Sequence, residues 1–242
     1  MATFVLVPGA WLGGWAWDPV TAALRGGGHE VHPVTLTGLT GDGDGADADL
    51  ETHADDLVRL LTARGLRDVV LVAHSYAGLP ATAAAVRVPE RLAKLVYVDS
   101  GPLPEGTSQF DLNPPEEQER LRGLVDRGKL PPPPWDPAAD PNLAGLDAAA
   151  LALLRQRSVP HPFASLTQPF RLPGAVTVPV TLITCLFPPD QVRAMIDAGH
   201  PFFAGVRGAD LRALPTGHWP MLSEPAKLAA LLGEVAVTAP TG

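Results

Sequence analysis

The sequence is poor in cysteine, in basic residues and in long apolar runs. Its one cysteine, Cys185, excludes an intrachain disulfide and a cysteine-rich metal site. Lysine and arginine number 18 against 26 acidic residues, which gives a formal net charge of −8, and no basic run occurs. We therefore expect no nucleic-acid interface and no attachment to an anionic membrane surface.

No apolar run reaches membrane-spanning length, and the chain opens on strand-like residues without the basic and apolar regions of a secretory signal. These absences lead us to expect a soluble protein of the cytoplasm. A chain of 242 residues is long for one domain, yet α/β folds of this size commonly form a single domain with one substantial core. We start from one domain, and the sequence leaves open whether two copies pair as a homodimer.

What the sequence does contain is a serine between an apolar run and an alanine-rich stretch. Residues 69–73 predict a strand buried on both faces, and residues 79–88 predict a helix. Ser75 lies on the turn between them, where a tight bend requires small residues two positions before and after the serine. Those positions hold Ala73 and Ala77. The spacing indicates a nucleophile elbow, and a serine that only caps the helix is the alternative.

A glycine-rich loop follows the first predicted strand, residues 4–7. The glycines at positions 9, 13 and 14 allow a sharp turn and a close approach of the backbone to a ligand. Their spacing matches neither the dinucleotide fingerprint G-x-G-x-x-G nor a phosphate-binding loop with lysine. We take Gly9 and Trp11 as candidates for contact with a substrate, and we expect Trp15 and Trp17 to pack in the core.

Aspartates spaced two positions apart occur in residues 37–49. The glycine and terminal glutamate of an EF-hand are not in register with them, so we expect a solvated loop rather than a calcium site. The amphipathic pattern of residues 50–64 then predicts a helix. On that helix we expect His53 to be a surface or capping residue.

Four further strands are predicted, at residues 30–36, 95–98, 178–185 and 211–214. With the two strands above, they predict a mostly parallel sheet of about six strands flanked by helices. Prolines cluster with short helical stretches between the two middle ones of these four strands. We interpret residues 102–173 as an inserted cap over the site, and residues 1–101 and 174–242 as the core. Phe163 in the cap is a further candidate for the wall of an apolar pocket.

A histidine and two carboxylates are candidates to act with the serine. His218 lies in a glycine-containing loop after the last predicted strand, and the chain order serine, carboxylate, histidine is that of an α/β-hydrolase. Asp99 directly follows a predicted strand, so it should emerge at the same edge of the sheet as Ser75. Asp190 is the alternative acid, although its place before a predicted helix is also typical of an N-cap. We favour Asp99.

These stretches together resemble the α/β-hydrolase superfamily. The opening Phe-Val-Leu-Val-Pro-Gly-Ala-Trp with Gly-Gly-Trp, at residues 4–15, is similar to that of the small esterase and hydroxynitrile lyase group, which includes plant methyl-ester esterases. The segment around His218 is similar to that group's terminal histidine segment. The resemblance covers about residues 3–101 and 176–236. It implies an α/β-hydrolase fold with a small helical cap.

The chain departs from this group at several positions. Pro8 stands where the group usually has histidine, and alanines replace the glycines on both sides of the elbow serine. Members that cleave cyanohydrins have threonine in place of Gly9 and a lysine directly after the catalytic histidine. Here the residue after the histidine is Trp219, so a cyanide-binding lyase is disfavoured.

The resemblance implies a serine hydrolase that cleaves a carboxylic ester or lactone of a small apolar substrate through an acyl-enzyme. Ser75 would be the nucleophile and His218 the base, and the backbone N–H groups of Ala10 and Tyr76 would bind the oxyanion. Trp219 joins the candidates for substrate contact. No metal and no organic cofactor is implied. A lyase-type catalyst and a small-molecule receptor on the same scaffold are the alternatives.

Overall fold

The computed structural model describes residues 1–172 and 174–237. Its strands, in chain order, are β1 (Thr3–Val7), β2 (Glu30–Pro33), β3 (Val69–His74), β4 (Leu92–Val98), β5 (Lys129–Leu130), β6 (His161–Pro162), β7 (Val180–Thr184) and β8 (Asp210–Ala213). Six of them form one sheet in the order β2-β1-β3-β4-β7-β8, and every neighbouring pair in it is parallel. The predicted parallel sheet of an α/β-hydrolase fold is confirmed.

Helices cover both faces of this sheet. They are α1 (Asp18–Gly26), α2 (Leu50–Ala63), α3 (Gly78–Arg87), α4 (Pro115–Leu124), α5 (Ala148–Arg157), α6 (Phe163–Thr167), α7 (Pro189–Asp197), α8 (Pro220–Ser223) and α9 (Pro225–Val237). Helices α1 and α9 pack together on one face, and α2 and α3 pack together on the other. None of the helices in the described ranges is long and apolar enough to cross a membrane.

Alternation of side chains along the strands divides the core into two layers. On β1, Phe4 and Leu6 belong to the layer under α1 and α9, whereas Val5 and Val7 belong to the layer under α2 and α3. Because successive side chains of a strand point to opposite faces, a strand covered on both faces must be apolar throughout. This explains why the central strands read as continuous apolar runs rather than as alternating patterns.

The segment between β4 and β7, residues 102–172 as described, is called the cap segment below. It holds α4, α5 and α6, and its two short strands β5 and β6 pair antiparallel. Prolines limit the length of its elements, since proline cannot donate a hydrogen bond and breaks helices. The same effect explains why the strand predicted at residues 178–185 begins only at Val180, directly after Pro179.

Candidate active site

The serine lies on a strained turn between β3 and α3. A 3₁₀ turn, Ser75–Ala77, links the strand to the helix. Ser75 has a φ of 53°, in the left-handed region that residues other than glycine rarely adopt. A Cβ on Gly78 would collide with Ser100 and with the carbonyl group of Gly101, so glycine is required there. The turn therefore has the sharp geometry that the small residues around the serine predict.

Ser75, His218 and Asp99 form a continuous chain of hydrogen bonds. The Ser75 Oγ lies 2.9 Å from the His218 Nε2, and the His218 Nδ1 lies 2.6 Å from the Asp99 Oδ2. With the imidazole proton on Nδ1, that group donates to the carboxylate and leaves Nε2 free to accept the serine proton. The two side chains are largely buried, with His218 20% and Asp99 10% exposed. The structure thus brings together the three residues favoured from the sequence.

Asp99 is held as an ionised acceptor at the end of β4. Its Oδ1 accepts the backbone N–H groups of Cys185 and Leu186, at 3.1 and 3.3 Å. Burial on its own raises the pKa of Asp99, but the hydrogen bond and charge of His218 and the two backbone N–H groups outweigh burial and lower that pKa. Asp99 also has a φ of 46°, a strained conformation.

Asp190 does not reach the histidine. Its side chain is 95% exposed and pairs with Arg193 on the same helix, at 3.0 Å. It lies in the first turn of α7, whose N-cap is Pro188. The alternative acid is therefore wrong, because the loop after β7 directs this carboxylate to solvent. That loop instead supplies the two N–H groups that hold Asp99.

The loop that carries His218 is fixed by the cap segment and by a buried histidine. The His218 N–H donates to the carbonyl oxygen of Asn142 at 2.9 Å, and its own carbonyl oxygen accepts the Nε2–H of His74 at 2.7 Å. Burial and the neighbouring His218 lower the pKa of His74 to about 3, so this imidazole is neutral and one nitrogen donates. Sequence reasoning missed His74, although its position directly before the serine was a signal.

Ala10 and Tyr76 follow the carboxyl ends of β1 and β3, which are neighbours in the sheet. Both residues line the same cavity as Ser75. Gly9 does not line that cavity, but a Cβ on it would lie 2.9 Å from both the His74 Nδ1 and the Ser75 Cβ. Only glycine allows this loop to lie so close to the elbow.

The cavity has a volume of about 480 Å³ and lies between the core and the cap segment. The predicted pocket residues Trp11 and Trp219 line it, and so does Trp135, which sequence reasoning missed. The Trp135 ring packs edge-to-face on both, with centroids 6.2 Å from Trp11 and 5.1 Å from Trp219. Phe163 is not part of this lining: its ring packs on Phe110, 5.0 Å away, and Phe110 reaches the cavity in its place.

His53 is fully buried, so its prediction as a surface or capping residue is wrong. The Tyr76 hydroxyl donates to the His53 Nδ1 at 2.7 Å, and the His53 Nε2–H donates to the Thr37 carbonyl oxygen at 2.8 Å. The spacing of buried positions on α2 was a signal, since His53 lies on the same helical face as Leu50 and Leu57. Burial lowers the pKa of His53.

Among residues 1–172 and 174–237, no three histidine, cysteine, aspartate or glutamate side chains are arranged to hold a metal ion. The hydrogen-bonded chain of the site consists of a hydroxyl, an imidazole and a carboxylate. Such a set can take the proton from the serine hydroxyl and so activate its oxygen as a nucleophile, which is the chemistry of acyl transfer.

Comparison with known proteins agrees with this chemistry. Residues 4–231 match the alpha/beta hydrolase family. The "Carbendazim hydrolyzing esterase" of Nocardioides sp. (strain SG-4G) is 32% identical over 96% of this chain and 98% of its own length. "Methylesterase 9" of Arabidopsis thaliana is 38% identical over a shorter stretch, 41% of this chain and 40% of that protein.

A solved structure shares the whole fold. An extracellular alpha/beta-hydrolase from a Paenibacillus species superimposes with a TM-score of 0.82, over 98% of this chain and 100% of that one. Its sequence identity of 21% makes this a likeness of fold alone. The family match and the bacterial relative of nearly full length carry the assignment. The chain belongs to the alpha/beta hydrolase family, in the part of it that is related to bacterial esterases and plant methylesterases.

Proposed function

We propose that this protein hydrolyses carboxylic esters or lactones of small apolar substrates through a covalent acyl-enzyme, with Ser75 as the nucleophile. The observation that carries the proposal is the hydrogen-bonded chain from Ser75 through His218 to Asp99 at the floor of a cavity. The esterase relatives support an ester as the bond that is cleaved.

In the first half of the reaction the Ser75 oxygen attacks the ester carbonyl carbon while His218 Nε2 takes the hydroxyl proton. The carbonyl oxygen becomes an oxyanion in the tetrahedral intermediate. When the intermediate collapses, the bond to the alcohol breaks and His218 gives its proton to the leaving oxygen. The acyl group stays on Ser75 as an ester.

In the second half a water molecule attacks the acyl carbon, and His218 takes one of its protons. Collapse of this intermediate breaks the bond to the Ser75 oxygen, which regains its proton from His218, and the carboxylic acid leaves. Asp99 stays ionised throughout, because the groups around it lower its pKa, and it stabilises the imidazolium that forms twice in the cycle.

The oxyanion would be bound by the backbone N–H groups of Ala10 and Tyr76. Both residues lie where two neighbouring strands end beside the serine, and Tyr76 lies in the turn Ser75–Ala77 that leads into α3, a helix whose N-terminal N–H groups favour negative charge. One such donor contributes roughly 3 kcal/mol of transition-state stabilisation in comparable sites.

The lining of the cavity is suited to a small substrate with an apolar part. Its wall on the core side holds Trp11 and Trp219, and the cap segment contributes Trp135, leucines and a run of four prolines, residues 131–134. Rigid aromatic and proline side chains lose little conformational freedom when a ligand binds. We propose that the cap segment closes this cavity and limits the entry of water.

The test is the reactivity of Ser75. We expect the wild-type protein to release nitrophenol from short-chain esters and to be labelled at Ser75 by a fluorophosphonate. Ser75→Ala should lose labelling and at least about 10³-fold in kcat at an unchanged melting temperature. The control is Ser108→Ala, because Ser108 is buried in the cap segment and bonds only within its own turn, to Asp111. Near-wild-type turnover in Ser75→Ala would refute the proposal.

A further inference from the structure

The backbone and indole polar groups of Trp11 are all bonded to the cap segment. Its backbone N–H donates to the His161 Nδ1 at 3.1 Å, and its indole N–H donates to the Leu130 carbonyl oxygen at 3.2 Å. Its own carbonyl oxygen accepts the N–H of Val159 at 3.0 Å. Every polar group of this tryptophan, which belongs to a core loop, is therefore bonded to a residue inserted more than a hundred positions later in the chain.

The conformation held by these bonds is one that tryptophan does not prefer. Trp11 has a φ of 65°, in the left-handed region, where a bulky residue is strained by roughly 1–3 kcal/mol. Such a conformation persists only where its surroundings impose it. The Trp11 N–H and the Ala10 N–H belong to adjacent peptide units that share the Ala10 Cα, so the bond that fixes the first unit also restricts the direction of the second.

His161 is built to accept a hydrogen bond. It is fully buried, and its Nε2–H donates to the Ser165 Oγ at 2.9 Å, while Ser165 in turn donates to the Pro162 carbonyl oxygen at 2.8 Å. This arrangement fixes the neutral imidazole with its proton on Nε2, which leaves Nδ1 as the acceptor for Trp11. Burial lowers the pKa of His161 well below its usual value, so the acceptor persists at neutral pH.

The same imidazole lies against the second proposed donor residue. Its ring centroid is 4.8 Å from that of Tyr76, in an edge-to-face arrangement. His161 therefore contacts Tyr76, one of the two residues whose N–H groups would bind the oxyanion, and accepts a hydrogen bond from Trp11, the neighbour in sequence of the other.

We infer that His161 is a positioning residue for catalysis: by accepting the Trp11 N–H it holds the Ala10 N–H toward the oxyanion, so that the cap segment completes the oxyanion hole. The inference rests on the proposed function. It assigns to the cap segment a part in the rate of the chemical step, in addition to its cover of the substrate. A conformation in which the segment lifts away would break all of the Trp11 bonds together and would leave the oxyanion with a misdirected donor.

The experiment compares variants that remove or keep the acceptor. In His161→Leu we expect kcat to fall by about 10- to 100-fold with KM changed less than about twofold, because the lost interaction acts on the transition state. The Trp11 amide hydrogen should exchange faster with solvent in this variant. His161→Gln should recover most of kcat, since the glutamine carbonyl oxygen can accept the Trp11 N–H and its amide group can donate to Ser165.

The matched control is His29→Leu. The His29 Nδ1 also accepts a backbone N–H, that of Ala2 at 3.2 Å, but at the opposite end of β1. We expect its kcat to equal that of the wild type. If His161→Leu does not fold, Ser165→Ala takes its place, because loss of the Ser165 acceptor leaves the buried Nε2–H unpaired and frees the imidazole ring to turn away from Trp11, so that kcat should again fall at constant KM.

If the wild-type enzyme is active and kcat is unchanged in His161→Leu, or in Ser165→Ala where that variant replaces it, the inference is overturned and the proposed function stands. A kcat in His161→Gln as low as in His161→Leu would also overturn the inference, since the acceptor would then not matter. A wild-type protein without ester hydrolysis and without Ser75 labelling would overturn the proposed function, and the inference with it.

Discussion

The substitution Asp99→Asn removes one negative charge from the site and keeps the shape of the side chain. In the wild-type protein one carboxylate oxygen accepts from His218 at 2.6 Å, and the other accepts from the backbone N–H groups of Cys185 and Leu186 at 3.1 and 3.3 Å. Asparagine has one acceptor oxygen and one amide nitrogen, so it can satisfy only one of these two sides.

We expect the asparagine oxygen to accept from the backbone N–H groups of Cys185 and Leu186. If the amide nitrogen faced the two backbone N–H groups, donors would oppose donors at a side chain only 10% exposed, at a cost of roughly 1–3 kcal/mol for each unpaired group. With the carbonyl oxygen on that side, the amide nitrogen faces the His218 Nδ1, which must then be unprotonated. The imidazole proton moves to Nε2, 2.9 Å from the Ser75 Oγ, and the base can no longer accept the serine proton.

We therefore expect Asp99→Asn to lower kcat by about 10⁴-fold, which corresponds to about 5.5 kcal/mol in the barrier. The assay is steady-state hydrolysis of a short-chain nitrophenyl ester, with thermal unfolding to show that the variant is folded. Asp190→Asn is the control, and we expect it to change kcat less than about twofold, because Asp190 is exposed and pairs only with Arg193. A kcat above about one tenth of the wild-type value in Asp99→Asn would refute this reasoning.

Two further predictions concern the loop beside the elbow and the buried His74. Gly9→Ala should lower kcat at least about tenfold, because the new Cβ would lie 2.9 Å from atoms of His74 and Ser75. The control is Gly26→Ala, which should leave kcat unchanged because the space around its new Cβ is open. Equal kcat values in the two variants would contradict this prediction. The pKa of His74 is lowered by burial from 6.5 to about 3, so between these values the unfolded chain binds the extra proton. On account of this histidine, the free energy of unfolding should therefore fall by up to about 1.4 kcal/mol for each pH unit below about pH 6.5. The measurement is urea unfolding at a series of pH values, for the wild type and for His74→Gln. The same dependence of the unfolding free energy on pH in both proteins would contradict the assignment to His74.

Much of the fold was determined by local sequence. An apolar run, a turn of small residues and an alanine-rich stretch predicted β3, the elbow at Ser75 and α3, because a strand buried on both faces and a tight turn each impose requirements on neighbouring residues. The parallel sheet followed from the alternation of such runs with helices. The candidates Asp99 and His218 came from chain order and from the rule that parallel strands present their carboxyl ends at one edge.

The tertiary structure decided which of these candidates meet. Asp99 and His218 are 119 positions apart, and only the packing of β4 beside β7 shows that the loop after β7 holds Asp99 and turns Asp190 to solvent. No local pattern predicted that Trp135 would reach the cavity and Phe163 would not, because each ring packs on aromatic residues far from it in the chain, Trp135 on Trp11 and Trp219 and Phe163 on Phe110. The contact of His161 with Trp11, 150 positions apart, likewise exists only in the folded chain, because a single hydrogen bond between distant residues leaves no periodicity in the sequence.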